Sequence, residues 1–408
     1  MSLIDAAFWT KIVLRLVMIV VVVVVGGYYG YLLITWANPQ QANIFKADLK
    51  CGLIPEPVIT GIRDIDLTNT TISVEAETSA LPIVPKIAYV YKIDVAGQTF
   101  TSEPRARQLA QLLGFPDSFS TPSPTQYRFR DAKDLRTLNI DIATLNFDYT
   151  LDGNKIPKVP NTNLPSLNTS TSVASGFLSG LGLYNDEFTE GKVFSYPITL
   201  SRNGDIDTST EVRSLQEASL VRIDYQKATI ALQYDRRIEN PLFARPNPVD
   251  FIEYLDKINN PIQPEFLKKF TAPRVSTNPV TGNVQIYIAS TEKTGDQKYP
   301  VYKATIRNWK TEEFPCGTYP IIQPSDALRA IKEGQGKLVY LNEKNTDRLN
   351  MGTLPKIRGL SIFTVQLAYY EPFDRPEFLQ PIYIASGEVS FEGGKVGTFG
   401  IYIPAIER

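Results

Sequence analysis

The stretch Ile12–Trp36 reads IVLRLVMIVVVVVVGGYYGYLLITW, and it divides the chain in two. From Leu16 to Ile34 it carries no charge. At about 1.5 Å of rise per residue, roughly 20 apolar residues cross a hydrocarbon core about 30 Å thick. A run of valines from Val20 to Val25 forms helix poorly in water, and no polar face interrupts it, which argues against a buried core helix. A cleavable signal peptide is the closer rival. Its apolar region would be shorter and would end in small residues. Here the run ends in Tyr28, Tyr29, Tyr31 and Trp36, and Thr35-Trp36-Ala37 matches a cleavage site poorly. The sequence therefore predicts an uncleaved single-pass anchor over residues 12–36, with Leu16, Val17, Val20, Val25, Tyr28 and Trp36 among its apolar and interfacial residues.

Trp9 on one side and the tyrosines and Trp36 on the other sit where amphipathic rings favour the headgroup level. Lys11 and Arg15 lie against the N-terminal edge, whereas the first cation past Trp36 is Lys46. The positive-inside rule then places residues 1–11 in the cytoplasm and the body outside. Gly26 and Gly30 form one G-x-x-x-G, a spacing that lets two anchors pack closely, so a homodimer through the membrane is one expectation.

Working outward, the remaining 370 or so residues exceed one core of ordinary size and predict more than one unit. Net charge is −1 and the basic residues are scattered, which points away from nucleic acid and from a polybasic lipid-binding patch. The chain has no histidine. That removes Ser-His-Asp and Cys-His catalysis, His-ligated zinc and imidazole pH sensing. Lysine or carboxylate chemistry stays open, but no motif points to it, and neither a cofactor nor a metal is expected. The two cysteines, Cys51 and Cys316, both fall on the outer side of the anchor and each precedes a glycine. An even count in an oxidising compartment suggests a disulfide; the alternative is two unpaired thiols, since spacing says nothing of distance.

The body alternates in short segments. Leu138-Asn139-Ile140-Asp141-Ile142 alternates strictly, one face apolar and one polar. A helix precedes it, with Ser102 as N-cap, Ala106, Leu109, Ala110 and Leu113 on one face, and Gly114 as its stop. Gly153–Thr171 reads as a loop, followed by a short helix over 172–182. A second helix capped by Ser325 runs to Gly334, and strands follow to Pro404, with Gly393-Gly394 as the last hairpin turn. The predicted class is α+β: a transmembrane helix, then β-rich units of antiparallel sheet with short packed helices. The expected divisions are a tail (1–11), the anchor (12–36), a stalk with first strands (37–85), a first α+β unit (86–240), a connecting unit (241–315) and a C-terminal α+β unit (316–408). Helix followed by antiparallel strands occurs at 102–151 and again at 325–404, which suggests two related units.

In the last fifth or so of the chain, Tyr319-Pro320-Ile321, Ser325 through Gly334, Ala368-Tyr369-Tyr370, Leu379 through Tyr383, and Tyr402 through Ile406 occur in an order similar to YycH/YycI-type and PepSY-type extracytoplasmic domains. The resemblance implies attachment to an N-terminal membrane helix and action by protein contact, restraining a sensor kinase or a protease, with no catalytic residues. The whole layout also resembles uncharacterised single-pass proteins of candidate-phyla bacteria, through Arg105–Phe115, Leu138–Leu151 and Gly317–Ala405; that likeness implies location and fold.

Two acidic stretches are candidate sites. Asn203, Asp205 and Asp207 resemble part of a calcium loop, but the twelfth position from Asn203 is Ser214 where a glutamate is needed, so a polar hairpin turn is expected. Asp148 and Asp152 read as strand-face and turn residues. The expected function is that of a non-enzymatic, membrane-anchored interaction protein of the cell envelope, structural or regulatory, whose partner is another envelope or membrane protein. The alternative is an extracytoplasmic binding module for a small ligand or wall polymer.

Overall fold

The computed structural model describes residues 18, 47–62, 70–75, 81–94, 97–151, 159, 161–203, 206–235, 267–290, 300–343 and 356–408. The anchor residues Leu16, Val17, Val20, Val25, Tyr28 and Trp36, and the Gly26/Gly30 pair, lie outside them. Among the described residues no helix is long and apolar enough to cross a membrane. The chain divides into two units, Met1–Ile44 and Phe45–Arg408, and the strands among the described residues belong to the second, a β-rich α+β structure.

Two strands come first, β1 (Thr71–Val74) and β2 (Ile87–Lys92). Helix α1 (Ser102–Leu112) leads into β3 (Phe119–Ser123), β4 (Gln126–Asp131), β5 (Arg136–Asp141) and β6 (Phe147–Leu151). Helices α2 (Leu167–Gly180) and α3 (Asp186–Thr189) precede β7 (Lys192–Asn203), β8 (Ile206–Glu211), β9 (Leu220–Gln226) and β10 (Ile230–Asp235). Then come β11 (Leu267–Ala272), β12 (Arg274–Val275), β13 (Val284–Ile288), β14 (Val301–Ile306) and β15 (Gly317–Pro320). Helix α4 (Pro324–Lys332) is followed by β16 (Lys337–Glu343), β17 (Ile357–Tyr370), β18 (Phe378–Phe391) and β19 (Val396–Pro404).

Two large sheets result. One has nine antiparallel strands in the order β3-β4-β5-β6-β14-β13-β9-β7-β8. The other has eight, with β1-β17-β18-β19-β16 as its spine, and β12, β2 and β15 added at its side. Its long strand β17 takes β1 in parallel near one end and β12 in parallel at the other. Strands β10 and β11 pair separately, and Ile230 and Leu232 join the core of the eight-stranded sheet.

The alternation of β5 explains its placement. Arg136, Leu138 and Ile140 are buried while Thr137, Asn139 and Asp141 are half-exposed. Leu138 and Ile140 pack with Phe129, Phe147, Val221 and Ile223 under Ala106, Leu109 and Ala110 of α1 and Ala174 and Leu178 of α2. Arg136 works differently: its guanidinium donates to the Leu113 and Gly114 carbonyls at 2.7 Å each, satisfying the last turn of α1, and pairs with Asp131 at 2.7 Å. Helix α4 repeats the scheme on the other sheet, with Ala327, Leu328 and Ile331 against Leu360, Ile362, Tyr383 and Phe399. Gly393 and Gly394 both have positive φ, 86° and 79°, as a tight hairpin between β18 and β19 requires.

Several boundaries differ from the sequence reading. Helix α2 begins at Leu167 because Ser166 accepts from the Thr169 N–H at 3.2 Å, a cap that outweighs the poor propensity of the Ser/Thr run behind it. The caps expected at Ser102 and Ser325 fall at Thr101 and Gln323, with Pro324 as the first residue of α4. Asn203 pairs with Ile206 across β7 and β8, in keeping with the turn expected there, and Gly204 and Asp205 of the calcium-like stretch lie outside the described residues. Strands β13 and β14, within the expected connecting region, sit in the middle of the nine-stranded sheet. The helix-and-strands stretches also wind differently: β3 to β6 form a meander, whereas β16 returns beside β19, the Greek-key arrangement.

The expected disulfide is present. Cys51 and Cys316 are bridged with Cα atoms 5.6 Å apart and a sequence separation of 265. In the chain-entropy model a loop of this length stabilises by about 5 kcal/mol. Reducing the full chain, or replacing both cysteines by serine, should therefore lower the calorimetric Tm. An unchanged midpoint would contradict a stabilising role.

Candidate functional site

The chain passes between the two sheets repeatedly, and three passages meet at one buried point. After β9 it leaves the nine-stranded sheet at Lys227; it re-enters through 276–283; it leaves again through 307–316. At the meeting point stands Glu371, the residue that follows β17. Lys227 Nζ donates to Glu371 Oε1 at 2.7 Å and to the Trp309 carbonyl at 2.6 Å. Both side chains of this pair are only 1 % exposed. Asn283 Nδ2 donates to the Glu371 carbonyl at 2.9 Å, the Glu371 N–H donates to Val275 at 2.8 Å, and Trp309 Nε1 donates to the Pro372 carbonyl at 2.8 Å.

Two further charges complete the cluster. Glu187 of α3 accepts from Arg274 Nη1 at 2.8 Å and lies 3.7 Å from Lys227 Nζ. Arg274 is also 3.9 Å from Glu371 Oε2, near enough for attraction but too far for a hydrogen bond. Glu371 Oε2, Arg274 Nε and Asn283 Oδ1 have no hydrogen-bond partner. The end of β9 can lie here only because its neighbours are glycines: a Cβ at Gly191 would overlap the Gln226 carbonyl oxygen, and one at Gly282 would overlap that of Tyr225.

A second charged group occupies the opposite face of β9. Arg222 Nε donates to Asp224 Oδ2 at 3.2 Å and Nη2 donates to Glu211 at 3.1 Å, while the guanidinium lies over the Tyr196 ring. Asp224 is fully buried and its Oδ1 has no hydrogen-bond partner. Burial pushes its carboxyl up to about 6, against the pull of the Arg222 charge and the Gly282 N–H.

What these arrangements can do chemically is limited by their engagement. Lys227 is tied to three groups, and Arg222 to two carboxylates and a ring. Among the described residues no group of three or more Cys, Asp or Glu could hold a metal ion. Of the acids weighed in the sequence, Asp148 accepts from Arg307 Nη2 at 2.7 Å as a strand-face residue, and Asp152 lies outside the described residues. The structure unites Cys51 with Cys316, which sequence parity suggested. Lys227 and Glu371, 144 residues apart, carry no local signal; each reads only as a charge at the end of a strand.

No family model matches the chain. No curated protein matches it either. Among solved structures it is similar to the crystal structure of an uncharacterized protein from Eubacterium rectale ATCC 33656, at 11 % identity over 82 % of this chain and 88 % of that one. The TM-score is 0.31, too low to carry an argument.

Two measurements probe the charges. Lys227→Met alone strands a buried carboxylate and should cost about 3–5 kcal/mol, whereas adding Glu371→Leu should recover much of that loss in urea unfolding. A double variant as unstable as the single one would show that the pair is not the source. For Asp224 the folded pKa is raised, so its contribution is fully present below its ordinary value of 3.8 and is lost as pH rises through about 6. Asp224→Asn should remove that loss, so its Tm relative to the parent chain rises between about pH 4 and pH 7. A difference that is flat with pH would refute the assignment.

Proposed function

We propose that the protein is a membrane-anchored interaction protein of the bacterial cell envelope. Its N-terminus is cytoplasmic and its α+β body lies outside the membrane. It acts by contact with another envelope or membrane protein, structurally or as a regulator, and not by catalysis. The observation that carries this reading is the Cys51–Cys316 bridge, fifteen residues beyond the uncharged run that ends at Trp36. Disulfides of this kind persist in oxidising compartments, and the run is long enough to cross a bilayer.

Two further observations support it. The buried charges are engaged in holding the sheets to each other, as a scaffold for surface contact needs. The order of segments from Tyr319 to Ile406 resembles domains that restrain membrane kinases and proteases by contact, and here the resemblance is offered as a guide to the class of partner.

The test uses the tagged full chain in intact cells. Protease added outside should digest the body and spare the N-terminal tail. After mild crosslinking, purification from membranes should recover a membrane or envelope protein in stoichiometric amount. A protected body, or recovery of the chain alone, would overturn the proposal.

A further inference from the structure

We infer that the bridged end of the body is a lipid-contacting tip, which seats Leu49, Leu53 and Phe314 in the interface of the membrane that holds the anchor. This rests on the anchored reading above and adds a contact that the anchor itself does not supply.

Three large apolar side chains stand out from the surface at this one place. Leu49 is 51 % exposed, Leu53 102 % and Phe314 65 %. Each lies two residues from a bridged cysteine, so the bridge, with its 5.6 Å between Cα atoms, gathers them around a single covalent link. Beneath them Cys51, Ile54, Cys316 and Ile406 pack on Val90, Tyr319 and Phe378, which anchors the tip to the eight-stranded sheet.

The tip is also hydrogen-bonded to β15. Thr318 N–H donates to Asp48 Oδ1 at 2.8 Å, Asp48 N–H donates to Thr318 Oγ1 at 3.0 Å, and Leu49 N–H donates to the Thr318 carbonyl at 3.2 Å. Tyr319 OH donates to the Gly52 carbonyl at 2.8 Å. Leu49 is one of three leucines with positive φ among the described residues, at 49°, a conformation costly for a bulky side chain.

Chain length selects the occupant. Only ten residues separate Trp36, the last interfacial aromatic of the apolar run, from Ala47, where the described body begins. Fully extended, ten residues reach at most about 35 Å. No other part of the body is as near to the anchor along the chain. The exposed charges among the described residues within four positions of these side chains are Asp48, Lys50, Glu56, Lys310, Glu312 and Glu313, and Lys50 pairs with Asp48 at 3.1 Å. The local balance is acidic, so the contact is apolar insertion rather than attraction to anionic lipid, and it is insensitive to salt.

The experiment places the full chain in phosphatidylcholine vesicles, with or without bromine on the acyl chains. A Trp9→Phe/Trp36→Phe background keeps only the buried Trp309 as a fluorophore. Adding Phe314→Trp, or in a second chain Leu53→Trp, should give emission that is blue-shifted and lost in brominated lipid, at low and high salt alike. Both sites are exposed, so neither substitution disturbs packing. If neither added indole is quenched while Trp36 in a Trp9→Phe chain is, the anchor stands and the tip contact is refuted. If Trp36 is not quenched either, both readings fall. Equal loss from an indole at Phe100→Trp, a fully exposed position before α1, would mean general adsorption of the body and would also refute the tip.

Discussion

The contact between Lys227 and Glu371 constrains the rest of the body. Each residue directly follows a strand of a different sheet, and each is removed from water. Taking two ions out of water costs several kcal/mol apiece, and mutual attraction offsets this only where geometry is good and spare hydrogen-bonding positions are filled. Here the lysine fills two of its three donor positions, on Glu371 and on the Trp309 carbonyl. Glu371 accepts one strong bond on Oε1 and leaves Oε2 to the more distant Arg274. Such a pair is a poor source of net stability and a good source of discrimination. Sliding one sheet past the other by a single residue would leave both charges buried and alone.

Covalent topology adds a second constraint. All nine strands of the β3–β8 sheet lie between Cys51 and Cys316 in sequence, as does the excursion through β10, β11 and β12. The nine-stranded sheet is thus an insertion into the eight-stranded one. The bridge closes its base beside the pairing of β2 with β15, where Gly317 faces Val90 and Pro320 faces Ile87. Gly317 belongs at this corner, since a Cβ there would come within 3.0 Å of Cys51 Sγ and of the Lys50 nitrogen. A long loop closed twice at one point loses much of its unfolded-state freedom. That makes assembly of so non-local a fold less dependent on the buried charges.

Local features were legible in the sequence because their physics is local. The apolar stripe of α1 and the alternation of Leu138 to Ile142 survive in the structure, as do the helix before Gly334 and the Gly393-Gly394 turn. Strand β3 did not stand out, because Ser120, Thr121, Pro122 and Ser123 are polar or ring-locked and the strand is an edge. Assignment of strands to sheets was not legible either. Val284–Ile288 alternates no differently from the strands of the other sheet, yet its partners are Val221–Tyr225 and Val301–Ile306. Periodicity fixes which side of a strand is buried and carries nothing about its neighbour. The charged seam was invisible for the same reason, since nothing near Lys227 specifies a carboxylate 144 residues away.

The disulfide and the seam fasten different parts of the body. Residues 48 and 49 bond to Thr318, and residue 51 bonds covalently to 316, so displacement of the chain at this end passes directly into β15 and β2. From β2 it reaches β18, through Phe378 opposite Lys92, and so the long spine of the eight-stranded sheet. The nine-stranded sheet receives it later, through the crossings and the ion pair at Glu371. The two sheets are therefore unequal: one is fastened to the bridged end by a covalent bond and backbone pairing, the other by a buried polar junction with three unpartnered atoms. The two sheets share no strand ladder, so the Lys227–Glu371 seam joins them through side chains and crossing segments, whereas the bridged end is continuous with the β2–β15 ladder.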